Sequence, residues 1–152
     1  MKMRLLSTVS TKKSLLAICK GDAGLNEKRK SLLSRVSVRN SYATFAGNSI
    51  KIKDLAYLSA YTGDEFALLR GKDYDILFHG ENESCTFYGE LKEKLKQHKL
   101  ELVAHSHPDY DIIIPSKDDR DFLKEIGQNS SIIISWYTGN TAEYFADEFM
   151  IQ

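Results

Sequence analysis

Two histidines, His105 and His107, stand two positions apart at the end of a short apolar run. Successive side chains of a β-strand point to opposite faces, so these two imidazoles project to the same side and both can reach one metal ion. After eight further residues comes Ser116, a suitable helix N-cap, which places Asp119 at the third position of the first turn. Two imidazoles and one carboxylate leave the fourth position of a tetrahedron for water, as in catalytic zinc sites. We therefore predict a zinc site formed by His105, His107 and Asp119.

The two motifs resemble those of a known enzyme family. His105-Ser106-His107-Pro108 and Ser116-Lys117-Asp118-Asp119 are similar to the JAMM motif of the JAB/MPN zinc metalloproteases, in their bacterial JAB-domain form, over about residues 50–150. The resemblance implies a JAB/MPN (cytidine-deaminase-like) architecture and Zn²⁺ as the cofactor. It also implies a deubiquitinase-like peptidase or isopeptidase that hydrolyses an amide bond through a metal-activated water, with a ubiquitin-like conjugate among the expected protein or peptide substrates.

The same resemblance implies a glutamate at the start of an upstream strand that acts as the general base. Glu65 stands before Phe-Ala-Leu-Leu-Arg and Gly71, which matches that element. A carboxylate outside the metal's ligand shell can take the proton of the water and pass it to the leaving amine. Glu65 lies one residue nearer its glycine than in several relatives, so Asp64 is a second candidate. Ser116 is implied to polarise the scissile carbonyl or hold the oxyanion.

The spacing between the two motifs is one residue longer than is usual in the family. Strict counting from His107 would put Pro115 at the serine position and make Asp118 the metal ligand. We favour Asp119, because the helix cap fixes the position of this carboxylate and a surface loop accommodates an extra residue at low cost. His79 and His98 belong to neither motif, and we expect both to be surface or packing residues.

The elements that must position these residues follow from periodicity and turn signals. A short strand near residue 50 is predicted to run into a turn or helix that ends at Thr62-Gly63. The remaining predicted helices are 12–20, 26–35, 88–98 and 116–127, and the remaining strands are 65–70, 75–79, 100–104, 132–136 and 141–149. This order predicts an α+β (α/β/α) fold with a mixed, mostly antiparallel sheet flanked by helices.

Composition and charge predict one folded protein with two unlike parts. The chain has 152 residues, of which 42% are hydrophobic and 28% are charged, and its net charge is zero. With only two prolines and nine glycines as well, the chain is a poor fit to the collagen-like, low-complexity and wholly disordered classes. Residues 1–40 carry ten Lys or Arg against two acids, and residues 41–152 carry eleven against nineteen. We predict a basic N-terminal arm or lead-in at 1–45 and the JAB/MPN-like domain at 46–152. The arm is a solvated lead-in, folds back on the body, or contacts nucleic acid or membrane headgroups.

The cellular setting follows from what the sequence lacks. No apolar run reaches the roughly 18 residues of a membrane span, and lysines interrupt the N-terminal candidate for a signal peptide. Cys19 and Cys85 form no CxxC pattern, so neither a disulfide framework nor a cysteine-rich zinc site is expected. We expect a cytoplasmic protein, with export as part of a larger effector or toxin as the alternative. The alternative functions are a JAB-like binding module and a nucleic-acid-associated protein that uses the basic arm.

Overall fold

The computed structural model describes residues 4–7, 24–107 and 113–147, of which the first range is described only as a strand. In chain order the elements of these ranges are β1 (Arg4–Ser7), α1 (Glu27–Arg35), β2 (Tyr42–Ala46), α2 (Ile52–Thr62), β3 (Phe66–Arg70), β4 (Tyr74–His79), α3 (Gly89–Lys96), β5 (Glu101–His107), α4 (Lys117–Ile126), β6 (Ser130–Ser135) and β7 (Thr141–Phe145). The strands form a single sheet in the order β1-β7-β6-β5-β3-β4-β2. The β5–β6 pair is parallel and the other pairs are antiparallel. The predicted class, α+β with a mixed and mostly antiparallel sheet, is confirmed.

Helices cover both faces of the sheet, because the central strands bury side chains on both sides. In β3, Phe66 and Leu68 belong to one core cluster, and Ala67 and Leu69 belong to another. The first cluster includes buried residues of α1 and α2, and the second includes buried residues of α3 and α4. We call the two sides the α1/α2 face and the α3/α4 face. A strand that is buried on both faces reads as a continuous apolar run, as β3 does.

A β-bulge at Val103 interrupts the alternation of β5. Leu68 of β3 pairs with Ala104, but Leu69 pairs with Leu102, so Val103 is an extra residue on β5. Leu102 packs in the core of the α3/α4 face, whereas Val103 and Ala104 both pack on the α1/α2 face. Two successive side chains on one side are the mark of a bulge, and the alternation then resumes toward His105.

Local sequence signals explain two of the helices. α4 begins after Ser116, whose side chain accepts a hydrogen bond from the Asp119 N–H, and ends at Gly127 with a left-handed φ of 71°. The predicted helix 116–127 is therefore confirmed. The prediction of a short strand near residue 50 is wrong, because the chain is already helical from Ile52 and the helix ends at Gly63. The apolar residues of this helix, α2, follow helical spacing, and Leu55 and Leu58 among them are buried on the α1/α2 face.

Two edge strands were not predicted, β1 and β2. The first pairs with β7 and the second with β4, at opposite edges of the sheet. The helices predicted at 26–35 and 88–98 correspond to α1 and α3, and the hairpin predicted for 65–79 corresponds to β3 and β4. The predicted helix 12–20 and the last part of the predicted strand 141–149 lie outside the described residues.

Part of the basic N-terminal region packs on the body of the protein. Leu32 and Val36 are buried in the same cluster as Leu58 and Phe66. The carboxylate of Asp54 accepts from Lys28 Nζ at 2.7 Å and from Arg29 Nε at 3.0 Å. Residues 24–46 thus contribute to the core and to one sheet edge, while the domain boundary at residue 45 stays a prediction.

In the ranges that the structure describes, every helix is too short and too polar to cross a bilayer.

Candidate metal centre

His105, His107 and Asp119 come together at the carboxyl end of β5. Both imidazoles lie on the α3/α4 face, with ring centroids 4.9 Å apart. The Nε2 atom of His107 is 3.0 Å from Oδ2 of Asp119, and Nε2 of His105 is 3.4 Å from Oδ1 of the same carboxylate. One ligand atom from each residue lies within 4.8 Å of the other two. The three residues therefore form a triad that is able to hold a metal ion.

The parallel connection from β5 to β6 brings Asp119 to the two histidines. The chain leaves β5 at His107, enters α4 after Ser116, and returns in β6 beside β5. The Ser116 N–H donates to Asp119 Oδ2 at 2.9 Å, and the Asp119 N–H donates to Ser116 Oγ at 3.0 Å. This reciprocal cap satisfies two free N–H groups of the first turn and fixes the carboxylate at the helix N-terminus.

The electrostatics of the triad favour an ionised aspartate. Burial raises the pKa of Asp119, but the electrostatic attraction of His105 and His107, together with the hydrogen bond to His107, outweighs burial and holds its pKa well below the ordinary value of 3.8. Burial also lowers the pKa of His105, and the Asp119 carboxylate raises it by more, so that the net shift is upward. Such mutual stabilisation keeps three groups together that would otherwise be costly to bury.

The donor set fits a zinc ion. His105 is 4% exposed, and its Nε2 atom makes no hydrogen bond to any residue of the described ranges. A buried imidazole nitrogen without a hydrogen bond is unfavourable unless another group occupies its lone pair or its proton. Two nitrogen donors and one carboxylate oxygen, with room for a further ligand, match the preference of Zn²⁺.

Glu65 faces the same side of the sheet as the histidines. Ala67 pairs with His105 in the antiparallel β3–β5 ladder, so the same register carried two residues back sets Glu65 opposite His107. Ser106, which lies between the histidines, accepts a hydrogen bond from the Phe66 N–H at 2.9 Å. Glu65 is 5% exposed and contributes to the rise in the pKa of His105. The general base implied by the resemblance is therefore adjacent to the triad.

Asp64, the second candidate base, faces the other way. Its Oδ2 atom lies 2.7 Å from His79 Nε2, and Arg39 forms an ion pair with its Oδ1 at 2.8 Å. The Nδ1 atom of His79 is 2.6 Å from the Val36 carbonyl oxygen. His79 is thus a buried packing and pairing residue, as one of the two expected roles had it, and Asp64 is engaged away from the triad.

The geometry does not support the alternative obtained by strict counting from His107, in which Pro115 takes the serine position and Asp118 is the metal ligand. Pro115 is buried ahead of the helix, and Asp118 is exposed and lies outside the cluster of possible ligands. Ser116 is exposed and caps α4. Residues 108–112, which include Pro108 of the first motif, lie outside the described part of the chain.

A cleft of about 390 Å³ opens beside the triad and includes residues that the sequence did not suggest. Glu65, His105, Asp119 and Ser116 line this cleft, together with Cys85, Phe122 and Tyr144. The Tyr144 ring meets the His105 ring edge-on at 5.8 Å. Burial first, and then the charges of Glu65 and Asp119, raise the pKa of the Cys85 thiol, so the cysteine is held as a neutral thiol.

Gly80 explains how Cys85 reaches the cleft. The Gly80 N–H donates to the Glu65 carbonyl at 2.7 Å, and residues 81–87 fold back over this point. A Cβ atom at Gly80 would overlap the Ser84 carbonyl oxygen and lie 2.7 Å from Cys85 Sγ. Gly80 permits this close approach because it has no Cβ atom. The glycine is therefore a sequence signal for a tight loop, but it does not indicate that Cys85 is the loop residue that lines the cleft.

Comparisons with protein-family models, with curated proteins and with solved structures find no match to this chain.

Proposed function

We propose that this protein is a zinc-dependent peptidase or isopeptidase of the JAB/MPN type, with the corresponding architecture. The observation that carries the proposal is the convergence of four side chains from three segments beside one cleft, which is lined by three of them, Glu65, His105 and Asp119. His105 and His107 come from β5, Asp119 comes from the first turn of α4, and Glu65 comes from the residue before β3. Metal ligands beside a buried carboxylate in a cleft are the components of metal-assisted hydrolysis.

The roles of the residues follow from their positions. His105, His107 and Asp119 hold the zinc ion, and Ser116 fixes Asp119 through the helix cap. Bound zinc supplies a Lewis acid that polarises the substrate carbonyl and lowers the pKa of a water molecule to about 7. Glu65 accepts a proton from the attacking water on its carboxylate and passes it to the leaving nitrogen.

Ser116 is positioned for a second role. Its Oγ atom accepts a hydrogen bond from the Asp119 N–H, so its own hydroxyl hydrogen can be donated into the cleft. In the proposed reaction this hydrogen stabilises the negative charge that develops on the carbonyl oxygen. The proposed substrate is a protein or peptide amide, with a ubiquitin-like conjugate as one class to be tested.

The proposal is tested with the pair Glu65→Gln and Asp64→Asn in zinc-loaded protein. Hydrolysis is measured on a panel of peptides and ubiquitin-like conjugates, and metal content is measured by elemental analysis. Glu65→Gln keeps the shape of the side chain but cannot accept the proton, so we expect kcat/KM to fall by about 10²–10⁴-fold with zinc retained. Asp64→Asn lowers stability but leaves the rate of the folded enzyme within about threefold, because Asp64 faces Arg39 and His79.

Two results would contradict the proposal. One is absence of hydrolysis on the whole panel by protein that carries zinc at the triad. The other is a loss of less than about tenfold on Glu65→Gln in protein that does hydrolyse a substrate, which would remove Glu65 as the base. If the Glu65→Gln protein fails to retain zinc, Glu65 is one of the metal ligands and not the base.

A further inference from the structure

The edge strand β2 has none of the features that keep natural sheet edges from pairing with another chain. From Ser41 to Asn48 the sequence contains no charged residue and no proline, and the register of β2 against β4 is regular along the whole strand. At the opposite edge, β1 begins with Arg4, and its register against β7 shifts between Leu5 and Ser7. Charges and irregularities of that kind blunt an edge, so β1 is protected where β2 is not.

The hydrogen bonds to β4 show which backbone groups of β2 point away from the sheet. The His79 N–H donates to the Ser41 carbonyl oxygen at 2.9 Å, so Ser41 directs its backbone groups toward β4. Along an antiparallel strand, residues that face the neighbouring strand alternate with residues that face away from it. Tyr42, Thr44 and Ala46 therefore direct their N–H and C=O groups outward, and no strand of the described ranges pairs with them. We call these three the outward residues.

The outward residues also expose their side chains, and Tyr42, the largest of them, is 48% exposed. The other two residues of the strand, Ala43 and Phe45, are half-buried on the α1/α2 face. The guanidinium of Arg35 lies over the Phe45 ring, 4.3 Å from its centre, and helps to hold this side chain in place. A partner strand would thus meet an edge that is already ordered, which lowers the entropic cost of docking.

A second copy of β2 fits this edge in size and in charge. Two copies related by a two-fold axis run antiparallel, and the register that pairs all five residues sets Thr44 opposite Thr44 of the second copy. In that register Tyr42 faces Ala46, and Phe45 faces Ala43. A large side chain then meets a small one on each face of the sheet, and the threonine pair at the axis is a favourable cross-strand pair. Because the strand is uncharged, self-pairing sets no like charges opposite each other.

We propose that two copies of this chain associate through their β2 strands, so that the two seven-stranded sheets join into one continuous sheet. The interface is the ladder formed by the outward residues of both copies, with Thr44 at its centre. β4 and β3 separate β2 from β5 in the sheet, so the association uses no residue of the metal centre.

The length of the strand sets the strength of the association. Stable protein–protein interfaces bury about 1,200–2,000 Å² in total, and the edges of two five-residue strands, each about 17 Å long, bury less than that. The dimer is therefore a weak one. We expect half of the protein to be dimeric at a concentration between about 10 µM and 1 mM.

The first experiment follows the parent chain between about 10 µM and 1 mM by sedimentation equilibrium and by amide hydrogen exchange. The apparent mass should rise from that of a monomer toward that of a dimer. The amides of Tyr42, Thr44 and Ala46 should exchange at least about twofold more slowly at the higher concentration, because the partner strand binds them. The amides of Ala43 and Phe45 face β4 and should not change.

The second experiment tests the register with charges at its centre. Thr44→Lys and Thr44→Glu each set like charges about 5.5 Å apart across the axis, which in a water-like dielectric weakens dimerisation by about threefold. An equimolar mixture of the two sets Lys opposite Glu. At low ionic strength the mixture should associate about tenfold more tightly than either variant alone.

Asn129→Lys is the matched control for the added charge. Asn129 is exposed between α4 and β6, and β5, β3 and β4 lie between β6 and β2 in the sheet. Its substitution should leave dimerisation within about twofold of the parent value, since a charge that far from the axis is screened by the solvent.

Three results would overturn the proposal. They are a parent chain that stays monomeric up to about 1 mM, a dimer in which the outward amides exchange as fast as in the monomer, and a mixture that associates no more tightly than Thr44→Lys alone. Thermal unfolding shows whether both variants are folded. If either is not, the exchange measurement on the parent chain decides the matter, because it needs no substitution.

Discussion

Substitution of Asp119 by Asn tests the metal centre most directly. The Asp119 carboxylate meets His105 at 3.4 Å, His107 at 3.0 Å and the Ser116 N–H at 2.9 Å. The Asn amide oxygen can still accept from Ser116, so the helix cap is largely retained and the folded structure should persist. What is lost is the anionic ligand.

The expected loss of metal affinity can be bounded from below. Removing a group that only supports a ligand costs about 10–100-fold in affinity. Asp119 is itself one of three protein ligands, so the loss should be at least about 100-fold, or about 2.7 kcal/mol. Zinc affinity is measured by competition with a chromogenic chelator, at the same pH for each variant because metal binding competes with protons.

Asp118→Asn is the matched control for this measurement. Asp118 is adjacent, lies in the same first turn of α4 and is exposed, and its substitution removes the same charge. Its zinc affinity should stay within about threefold of the parent value, since it loses only a screened surface charge near the ion. The assignment is refuted if Asp119→Asn binds zinc as tightly as the parent, or if Asp118→Asn loses as much affinity.

The remaining predictions concern stability. The buried Asp75 carboxylate has its pKa lowered below 3.8, because the opposing effect of burial is outweighed by hydrogen bonds from Arg70 and the Ile50 N–H. The contribution of Asp75 to stability is present in full above about pH 4 and is lost as the pH falls through the lowered pKa, so Asp75→Asn should reduce the urea midpoint at pH 7 and reduce it by less at pH 3; an equal reduction at both would contradict the pairing. Gly80→Ala should cost about 1–3 kcal/mol in free energy of unfolding, which chemical denaturation measures; an unchanged value would show that the loop yields freely. Deletion of residues 1–40 should abolish cooperative thermal unfolding, because it uncovers the core beneath α1, and a sharp transition in the truncated protein would place that helix outside the core.

The elements around the triad could be predicted because their signals are local. Ser116 and Gly127 mark the two ends of α4 by their own backbone preferences. The i and i+2 spacing of the histidines is enough to put both on one face of a strand. No contact beyond a few neighbouring residues is needed for either inference, which is why the three triad residues could be named from the sequence.

Other features depend on pairing between residues that are distant in the chain. β2 is an edge strand whose residues Tyr42 through Ala46 pair with β4, about thirty residues later; Tyr42, Thr44 and Phe45 favour a strand, but only this distant pairing gives the segment its place in the sheet. Which of Asp64 and Glu65 faces the triad depends on the register of β3 against β5 and on the partners of Asp64. Cys85 and Phe122 enter the cleft through folding of separate segments, for which the sequence has no spacing rule.

The bulge at Val103 makes the length of β5 locally adjustable. Strict alternation would put Leu102 on the side opposite His105, yet both line the cleft, because Val103 and Ala104 share one side. Removing Val103 would restore a regular strand with the imidazoles still directed toward α4, at the cost of one partly buried side chain. Removing Ser106 would make the histidines sequence neighbours and turn one of them to the opposite side. β5 can therefore change its length by one residue before His105 and keep both imidazoles on one side. It cannot change its length between His105 and His107, because the two metal ligands would then point to opposite sides of the sheet.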